Sequence, residues 1–313
     1  MSRVLITGVA GFLGSHLARY FLDRDYQVLG VDNYLTGVSE NLSALEVNSN
    51  FSFFLHDVSE PLHIDDELDG VLHFASPASP VDYLKYPIET LKVGSIGTQH
   101  MLSIAKAKGC LFLLASTSEV YGDPLVNPQS ERYWGNVNPT GPRSVYDEGK
   151  RYAEALTTAY NRTHAVDVRI ARIFNTYGPG MRVGDGRVVS NFIVQALRGE
   201  PLTVYGNGKQ TRSFCYVNDE IDGLFKLFQS NWDTPINIGN PREIEVIALA
   251  RLVIEMTSSE SELHFVELPE DDPQIRNPDI SLAKNVLGWT PETSLEKGLM
   301  ETIKYFESVT SSS

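Results

Sequence analysis

Tyr146 and Lys150 stand four residues apart in the run Arg143 to Leu156, which reads as a helix, so phenol and ammonium share one face. An ammonium beside a phenol favours the phenolate, and a phenolate is a general base for an alcohol. Lowering a tyrosine pKa from about 10 to about 7 requires roughly 4 kcal/mol. One cation about 4 Å away, at an effective dielectric of about 20, supplies that much. A second cluster, Thr117, Ser118 and Glu119, ends an apolar run from Cys110 to Ala115 that has the bulk of a buried parallel strand. Open α/β sheets bind ligands beyond the carboxyl ends of their strands, so these three polar side chains are set for chemistry. Tyr205 and Lys209 repeat the Tyr/Lys spacing, but Tyr-Gly-Asn-Gly-Lys reads as a turn, in which the geometry is not fixed.

The elements that must position these groups begin with a strand, Val4-Leu5-Ile6. It is followed by Gly8, Gly11 and Gly14 in a turn into a helix with Leu13, Leu17, Phe21 and Leu22 on its apolar side. Glycines every third residue let the backbone approach a pyrophosphate at a helix N-terminus, although tight helix-strand packing alone calls for the same residues. A second strand, Gln27 to Val31, ends in Asp32, where a carboxylate accepts from both ribose hydroxyls of an adenine dinucleotide and repels a 2'-phosphate. Asp32 could otherwise serve an Asx turn. NAD is therefore expected over NADP. Strands are also expected at Phe51–Leu55, Val71–Ala75 and Val166–Phe174, all ending on the same edge, with one long helix from Pro87 to Lys108. That helix sets Lys92 near the strand edge. His56 and His73 lack metal-ligand spacing and read as structural, and no metal is expected.

Between Gly122 and Pro142 lies a long loop of the kind that lids or binds something. Beyond Asn175-Thr176-Tyr177-Gly178-Pro179 the chain changes to short helices and interrupted strands. Arg187, Arg212 and Arg276 are candidates for a basic cluster that binds a diphosphate and a carboxylate through guanidinium forks. The last helices, through Phe306, read as structural, and Ser308 to Ser313 as disordered. A net charge of -14 argues against a nucleic-acid or anionic-membrane surface. No run is apolar enough to span a bilayer, the first residues carry no leader pattern, and the two cysteines, Cys110 and Cys215, sit in apolar segments, so a cytoplasmic protein is expected.

Seven runs carry a specific resemblance: HFASPAS (His73 to Ser79), STSEVYGDP (Ser116 to Pro124), YWGNVNP (Tyr133 to Pro139), YDEGK (Tyr146 to Lys150), RIFNTYGP (Arg172 to Pro179), DGRVVSNF (Asp185 to Phe192) and DDPQIRNPDI (Asp271 to Ile280). With them the chain resembles the extended short-chain dehydrogenase/reductases that act on nucleotide sugars, and within that group the UDP-glucuronate decarboxylases. It departs from the pattern at Val9, where a glycine is common, and at Thr36 to Ser39, where basic residues are common.

The resemblance implies a doubly wound parallel α/β sheet (Rossmann) over residues 1–175, rejoined by later segments near 210–240, and a smaller C-terminal α/β substrate domain over 176–313. It implies NAD held by Gly8, Gly11, Phe12, Leu13, Gly14, Asp32, Asn33, Asp57, Val58, Phe74, Ser76, Thr176, Tyr146 and Lys150. For UDP-glucuronate and UDP-xylose it implies Lys92, Asn175, Arg187, Val188, Tyr205, Arg212 on the diphosphate and Arg276 on the sugar carboxylate. Tyr146 and Thr117 would act at the C4 oxygen, and Glu119 with Ser118 would manage the proton at C5. A homodimer through the 87–108 and 143–164 helices is also implied. A 4,6-dehydratase would carry Asp where Ser118 stands, a 4-epimerase has no need of Glu119 or Arg276, and an NAD-sensing binding protein has no need of both Tyr146 and Lys150.

Overall fold

A parallel pair of strands needs a crossover long enough to hold a helix, and the apolar runs of this chain are spaced accordingly. The computed structural model describes residues 2–268, 273 and 275–310. Its first half runs β1 (Arg3–Thr7), α1 (Phe12–Leu22), β2 (Gln27–Asp32), β3 (Phe51–Leu55), β4 (Gly70–His73), α2 (Pro80–Lys85), α3 (Pro87–Lys92), α4 (Thr98–Lys108), β5 (Leu111–Thr117), α5 (Ser144–His164) and β6 (Val168–Ile173). After it come β7 (Thr176–Tyr177), α6 (Val188–Leu197), β8 (Leu202–Tyr205), β9 (Thr211–Ser213), β10 (Cys215–Tyr216), α7 (Val217–Gln229) and β11 (Pro235–Ile238). The chain closes with β12 (Glu243–Glu245), α8 (Val246–Thr257), β13 (Leu263–Val266), β14 (Ile275–Arg276), α9 (Ser281–Leu287) and α10 (Leu295–Thr310).

Among the described residues, seven parallel strands form the main sheet in the order β11-β6-β5-β4-β1-β2-β3. From β1 the chain winds outward to β3, then returns to β4 and winds the other way. The loops after β1 and β4 therefore part and leave a crevice beyond the strand ends. Thr7 ties these two loops together: its Oγ1 accepts the backbone N–H groups of Phe74 and Ala75, both at 3.1 Å, and lies 2.8 Å from Nδ1 of His73. The hydroxyl hydrogen thus goes to Nδ1. Burial and the nearby Lys150 hold His73 neutral, its pKa down at about 3, as that acceptor role requires.

The long helix expected from Pro87 to Lys108 is instead α3, a π-helical turn over Val93–Gly97, and α4. The reason is a close helix crossing. Gly94 lies so near α5 that a Cβ there would sit 3.0 Å from the carbonyl oxygen of Gly149, and the two glycines of Val-Gly-Ser-Ile-Gly let the backbone widen. Strands β4 and β6 are shorter than expected, because their last residues turn into the crevice loops. The expected disorder from Ser308 is corrected in part: α10 continues to Thr310, and 311–313 lie outside the described residues.

Three small sheets lie outside the main one: β7 with β10, β8 with β13, and β9 between β12 and β14. The 122–142 loop folds back on itself through Gly122 and Asn136. It also clasps the β14 segment, where Gln129 donates its N–H to the carbonyl of Asn277 at 2.8 Å and accepts from the Asn277 N–H through its side chain. That clasp brings Arg276 to the end of β5. Among the described residues no helix is long and apolar enough to cross a membrane.

Candidate active site

A cavity of about 420 Å³ follows the crevice along the carboxyl edge of the sheet. At one end it meets Asp32, Asn33, Asp57 and Val58, and beside them Gly8, Gly11, Phe12, Leu13 and Gly14 of the β1-α1 turn. Phe74 and Ser76 of the loop after β4 and Thr176 of β7 form its middle wall. Thr117, Ser118, Glu119, Tyr146 and Lys150 line the far part, with Lys92, Asn175 and Arg187 around them. Four of the expected contacts lie off this cavity. Val188 opens α6 and packs on the core; Tyr205 is half exposed at the end of β8; Arg212 and Arg276 face each other in register on β9 and β14.

The β1-α1 turn fits a dinucleotide. Gly8 has φ +71°, and a Cβ on it would lie 2.7 Å from the Ala75 nitrogen; a Cβ on Gly14 would overlap the carbonyl of Gly8. Backbone alone fits there, and the first turn of α1, capped by no side chain, offers N–H groups to an anion. Asp32 accepts from the N–H of Ala10 at 3.0 Å and of Tyr34 at 2.8 Å, one on each carboxylate oxygen. Burial raises its pKa while those N–H groups oppose the rise. Each oxygen keeps a lone pair for a ribose hydroxyl.

Thr117 ends β5 in extended conformation and caps a turn of 3-10 helix, Ser118–Tyr121, by accepting the Glu119 N–H. Helix α5 brings Tyr146 and Lys150 to the same place, with the Tyr146 ring stacked on Tyr83 of α2 at 5.2 Å between centroids. The Thr117 hydroxyl lies close enough to Tyr146 to favour its phenolate. The expected depression of the phenol is not found. Burial first, then the negative charges of Glu119 and Asp147, push Tyr146 up to about 12 against the opposing pull of Thr117 and Arg187. The lysine points elsewhere: its Nζ donates to the carbonyl of Ala115 at 2.8 Å, stands 5.7 Å from the phenol ring centroid, and is itself brought down to about 8 by burial.

Glu119, expected with Ser118 to manage the proton at C5, is held by two guanidiniums: Arg143 donates to it at 2.7 Å and Arg276 at 3.0 Å. Burial alone would raise this carboxyl, but the two guanidiniums hold it down at about 2, so it stands ionised. Arg276, only 1% exposed, gives its remaining donors to the carbonyls of Ser118 and Gly122 at 3.0 and 2.9 Å, so its fork faces Glu119 and backbone. Of the DDPQIRNPDI run, Asp271, Asp272 and Gln274 lie outside the described residues.

Sequence reasoning missed Arg143, Asp147, Tyr83 and Arg182. Arg182 lines the cavity and grips Asp82 with two bonds of 2.8 and 2.7 Å. The available sign for Arg143 was its position one turn before Tyr146 on the same helix approach. Among the described residues no group of three or more His, Cys, Asp or Glu side chains is gathered as metal ligands.

The switch-point crevice, the glycine cradle with its carboxylate, and the Thr-Tyr-Lys group at the end of β5 define a Rossmann-fold short-chain dehydrogenase/reductase. Over residues 5–302 the chain matches the family model described as GDP-mannose 4,6 dehydratase. It is 55% identical over 298 residues to UDP-glucuronic acid decarboxylase 3 of Arabidopsis thaliana, covering 95% of this chain and 86% of that one. To UDP-glucuronic acid decarboxylase 1 of Xenopus tropicalis it is 54% identical over 304 residues, 97% of this chain and 72% of that one. Among solved structures, the UDP-glucuronic acid 4-epimerase of Bacillus cereus, in complex with UDP-glucuronic acid and NAD, superposes with a TM-score of 0.87 at 28% identity over 98% of this chain and 99% of that one. The chain belongs to the UDP-glucuronic acid decarboxylase family.

Proposed function

We propose that this protein converts UDP-glucuronate to UDP-xylose and carbon dioxide through a C4-oxidised β-keto acid. NAD bound along the glycine turn, with its adenosine ribose on Asp32, supplies the acceptor and later the donor of the hydride at C4. Tyr146 takes the proton of the C4 hydroxyl, Thr117 donates a hydrogen bond to the same oxygen, and the Lys150 ammonium stabilises the phenolate. Oxidation leaves a ketone β to the C6 carboxylate. Carbon dioxide departs with the C5–C6 electrons delocalised onto the C4 oxygen, where Tyr146 and Thr117 stabilise the enolate. A proton added at C5 and reduction at C4 complete the pentose.

The observation that carries this reading is the meeting, at one end of one cavity, of the Thr117–Tyr146 pair with Glu119 and its two arginines. An alcohol-oxidising pair and an anion-binding group within one site are what a β-keto acid route requires. Lys92, Asn175 and Arg187 are assigned to the nucleotide sugar. Val188, Tyr205 and Arg212 are assigned to its UDP end, and Arg276 to the carboxylate once its fork is shared with Glu119. We assign residues 1–175 and the 210–240 segments to the NAD domain, the remainder to the substrate domain. A cytoplasmic location suits two free, buried thiols, and a homodimer suits the exposed apolar residues of α2 to α5.

The test is incubation of the purified protein with UDP-glucuronate and no added cofactor, followed by NMR. UDP-xylose is expected. Persistent UDP-4-ketopentose with stoichiometric NADH would assign an oxidative decarboxylase, and UDP-galacturonate with no loss of carbon dioxide would assign an epimerase.

A further inference from the structure

The route above needs a proton for C5, and Glu119, nearest to hand, is an ionised partner of two guanidiniums. Next to Tyr146 on α5, Asp147 carries a carboxyl that the route does not use. It is 5% exposed, and its Oδ1 has no hydrogen-bond partner among the described residues. It lines a second cavity, of about 270 Å³, together with Arg143, Asn136, Asn138 and Gly122. Glu119 lines the first cavity and Arg143 the second, so the Arg143–Glu119 ion pair stands between the two.

We propose that Asp147 is the proton reserve of this site: it and Glu119 share one proton and one guanidinium, that of Arg143, which pairs with whichever carboxyl has just released the proton. Arg143 lies one helical turn before Asp147 and its carbonyl already accepts the Asp147 N–H, so a side-chain rotation carries the guanidinium from one carboxyl to the other. That rotation also removes the barrier between the cavities. The second is polar and large enough for water, which returns the proton to Asp147.

The charges facing Asp147 agree with this arrangement. Burial, then Glu119, and Glu148 on its own helix, push it up to about 8, while Arg143 and Arg276 pull it down. Tyr83 of α2 and Tyr146 also feel its charge, and Asp123 lines the same cavity. At neutral pH Asp147 therefore holds the proton and Glu119 does not. Arg143 and Arg276 against Glu119 alone leave one positive charge over, the complement of one arriving carboxylate. A sugar carboxylate that draws Arg276 away raises Glu119 and prepares it to receive the proton.

The sequence of bonds then balances. C5–C6 breaks and carbon dioxide leaves, its electron pair held on the C4 oxygen; Asp147 passes its proton to Glu119 as Arg143 crosses to Asp147; C5 takes that proton from Glu119, to which Arg143 returns; Asp147 regains a proton from the solvent, so each turnover takes up one solvent proton and both carboxyls end as they began.

The proposal rests on the decarboxylase reading, and its test separates the two. In holoenzyme with UDP-glucuronate, Asp147→Asn should leave the rate of the first NADH burst unchanged while lowering UDP-xylose turnover on the order of 10²-fold, and the fall through about pH 8 in the ratio of turnover to burst rate, a ratio in which the Lys150 titration common to both cancels, should disappear. Asp147→Glu should recover part of the rate and restore a titrating limb. Wild-type turnover and pH profile in Asp147→Asn overturn the proposal, as does an equal loss of burst and turnover, which marks a merely structural residue. Independently of substrate, the infrared band of a protonated carboxylic acid should titrate with a midpoint near 8 in the wild type and be missing in Asp147→Asn. If the wild type makes no UDP-xylose, the function fails. If the band is the same in both proteins, the proton reserve fails.

Discussion

At the scale of single residues, burial sets the direction for Tyr146, Asp147 and Lys150, while at Glu119 two guanidiniums overrule it. Tyr146 is held at about 12 although a lysine lies one helical turn away, because that ammonium is directed to the Ala115 carbonyl. On the proposed route its work as a base would need a further positive charge beside it, and Tyr146→Phe should cut the NADH burst by a factor on the order of 10²–10⁴, the usual contribution of a positioned proton acceptor. A burst of wild-type size in stopped-flow absorbance would remove Tyr146 from that role. Asp147 makes a separate statement about stability. Between the ordinary 3.8 of an aspartate and its folded value of about 8, the folded protein holds a proton that the unfolded chain has released. Unfolding free energy thus falls as pH rises through that window and levels above it. Lys150 acts in the opposite sense: its folded value of about 8 lies below the usual 10.5, so the unfolded chain binds the extra proton and stability rises from pH 8 to 10.5. Urea denaturation at a series of pH values should show a shallower fall in Asp147→Asn and a lost alkaline rise in Lys150→Met. Slopes equal to wild type would contradict the assigned protonation states.

At the scale of elements, the site depends on how closely α5 can approach the π-helical turn. Gly94 meets Gly149 backbone to backbone, so Gly94→Ala pushes α5, and with it Tyr146 and Asp147, away from β5. The expected loss is about 1–3 kcal/mol of stability, typical of overpacking, with turnover falling more than affinity for UDP-glucuronate. By contrast Gly149→Ala meets only the Thr90 carbonyl at 3.8 Å, so on contact grounds it should be the milder change. Similar melting temperatures for the two variants would show that the crossing is not tight. The same comparison explains what could be read before any coordinates. The glycine turn, Asp32 at the end of β2 and the Tyr146/Lys150 face are local patterns whose meaning lies within a few residues or one crossover. The π-helical turn and the Arg143–Glu119–Arg276 group come from contacts across 24 to 157 residues, and from a helix crossing that no periodicity encodes. By type Arg276 was legible only as one of three arginines for an anion-binding cluster, and not as one already facing Glu119, because that depends on the Gln129–Asn277 clasp.

At the scale of the molecule, α4 and α5 pack on one face of the sheet with α2 and α3 against α5, and this group of helices leaves Leu84, Ile88, Leu91, Ile96 and Tyr152 exposed. Ile88 is 59% exposed on a chain whose net charge is -14, and such an apolar group on so acidic a surface is a site for another apolar surface rather than for water. In the proposed homodimer, a second copy meeting these residues about a two-fold axis would bury each of them twice. Burying an isoleucine contributes roughly 1.5–3 kcal/mol, so Ile88→Asp, counted on both copies and with a charge left to desolvate, should weaken association by at least about 10²-fold. Two equally charged copies also repel over distances that salt screens, with a Debye length of about 8 Å at physiological ionic strength. Association should therefore tighten as salt is added, the reverse of what an interface held by ion pairs would do. Sedimentation equilibrium of wild type and Ile88→Asp at low and high salt tests both statements. A dimer that loosens with salt, or an Ile88→Asp variant as dimeric as the wild type, would move the interface to another face. Because α5 carries Tyr146, Asp147 and Lys150 and also Tyr152 of this group, the monomeric variant should lose turnover together with its partner.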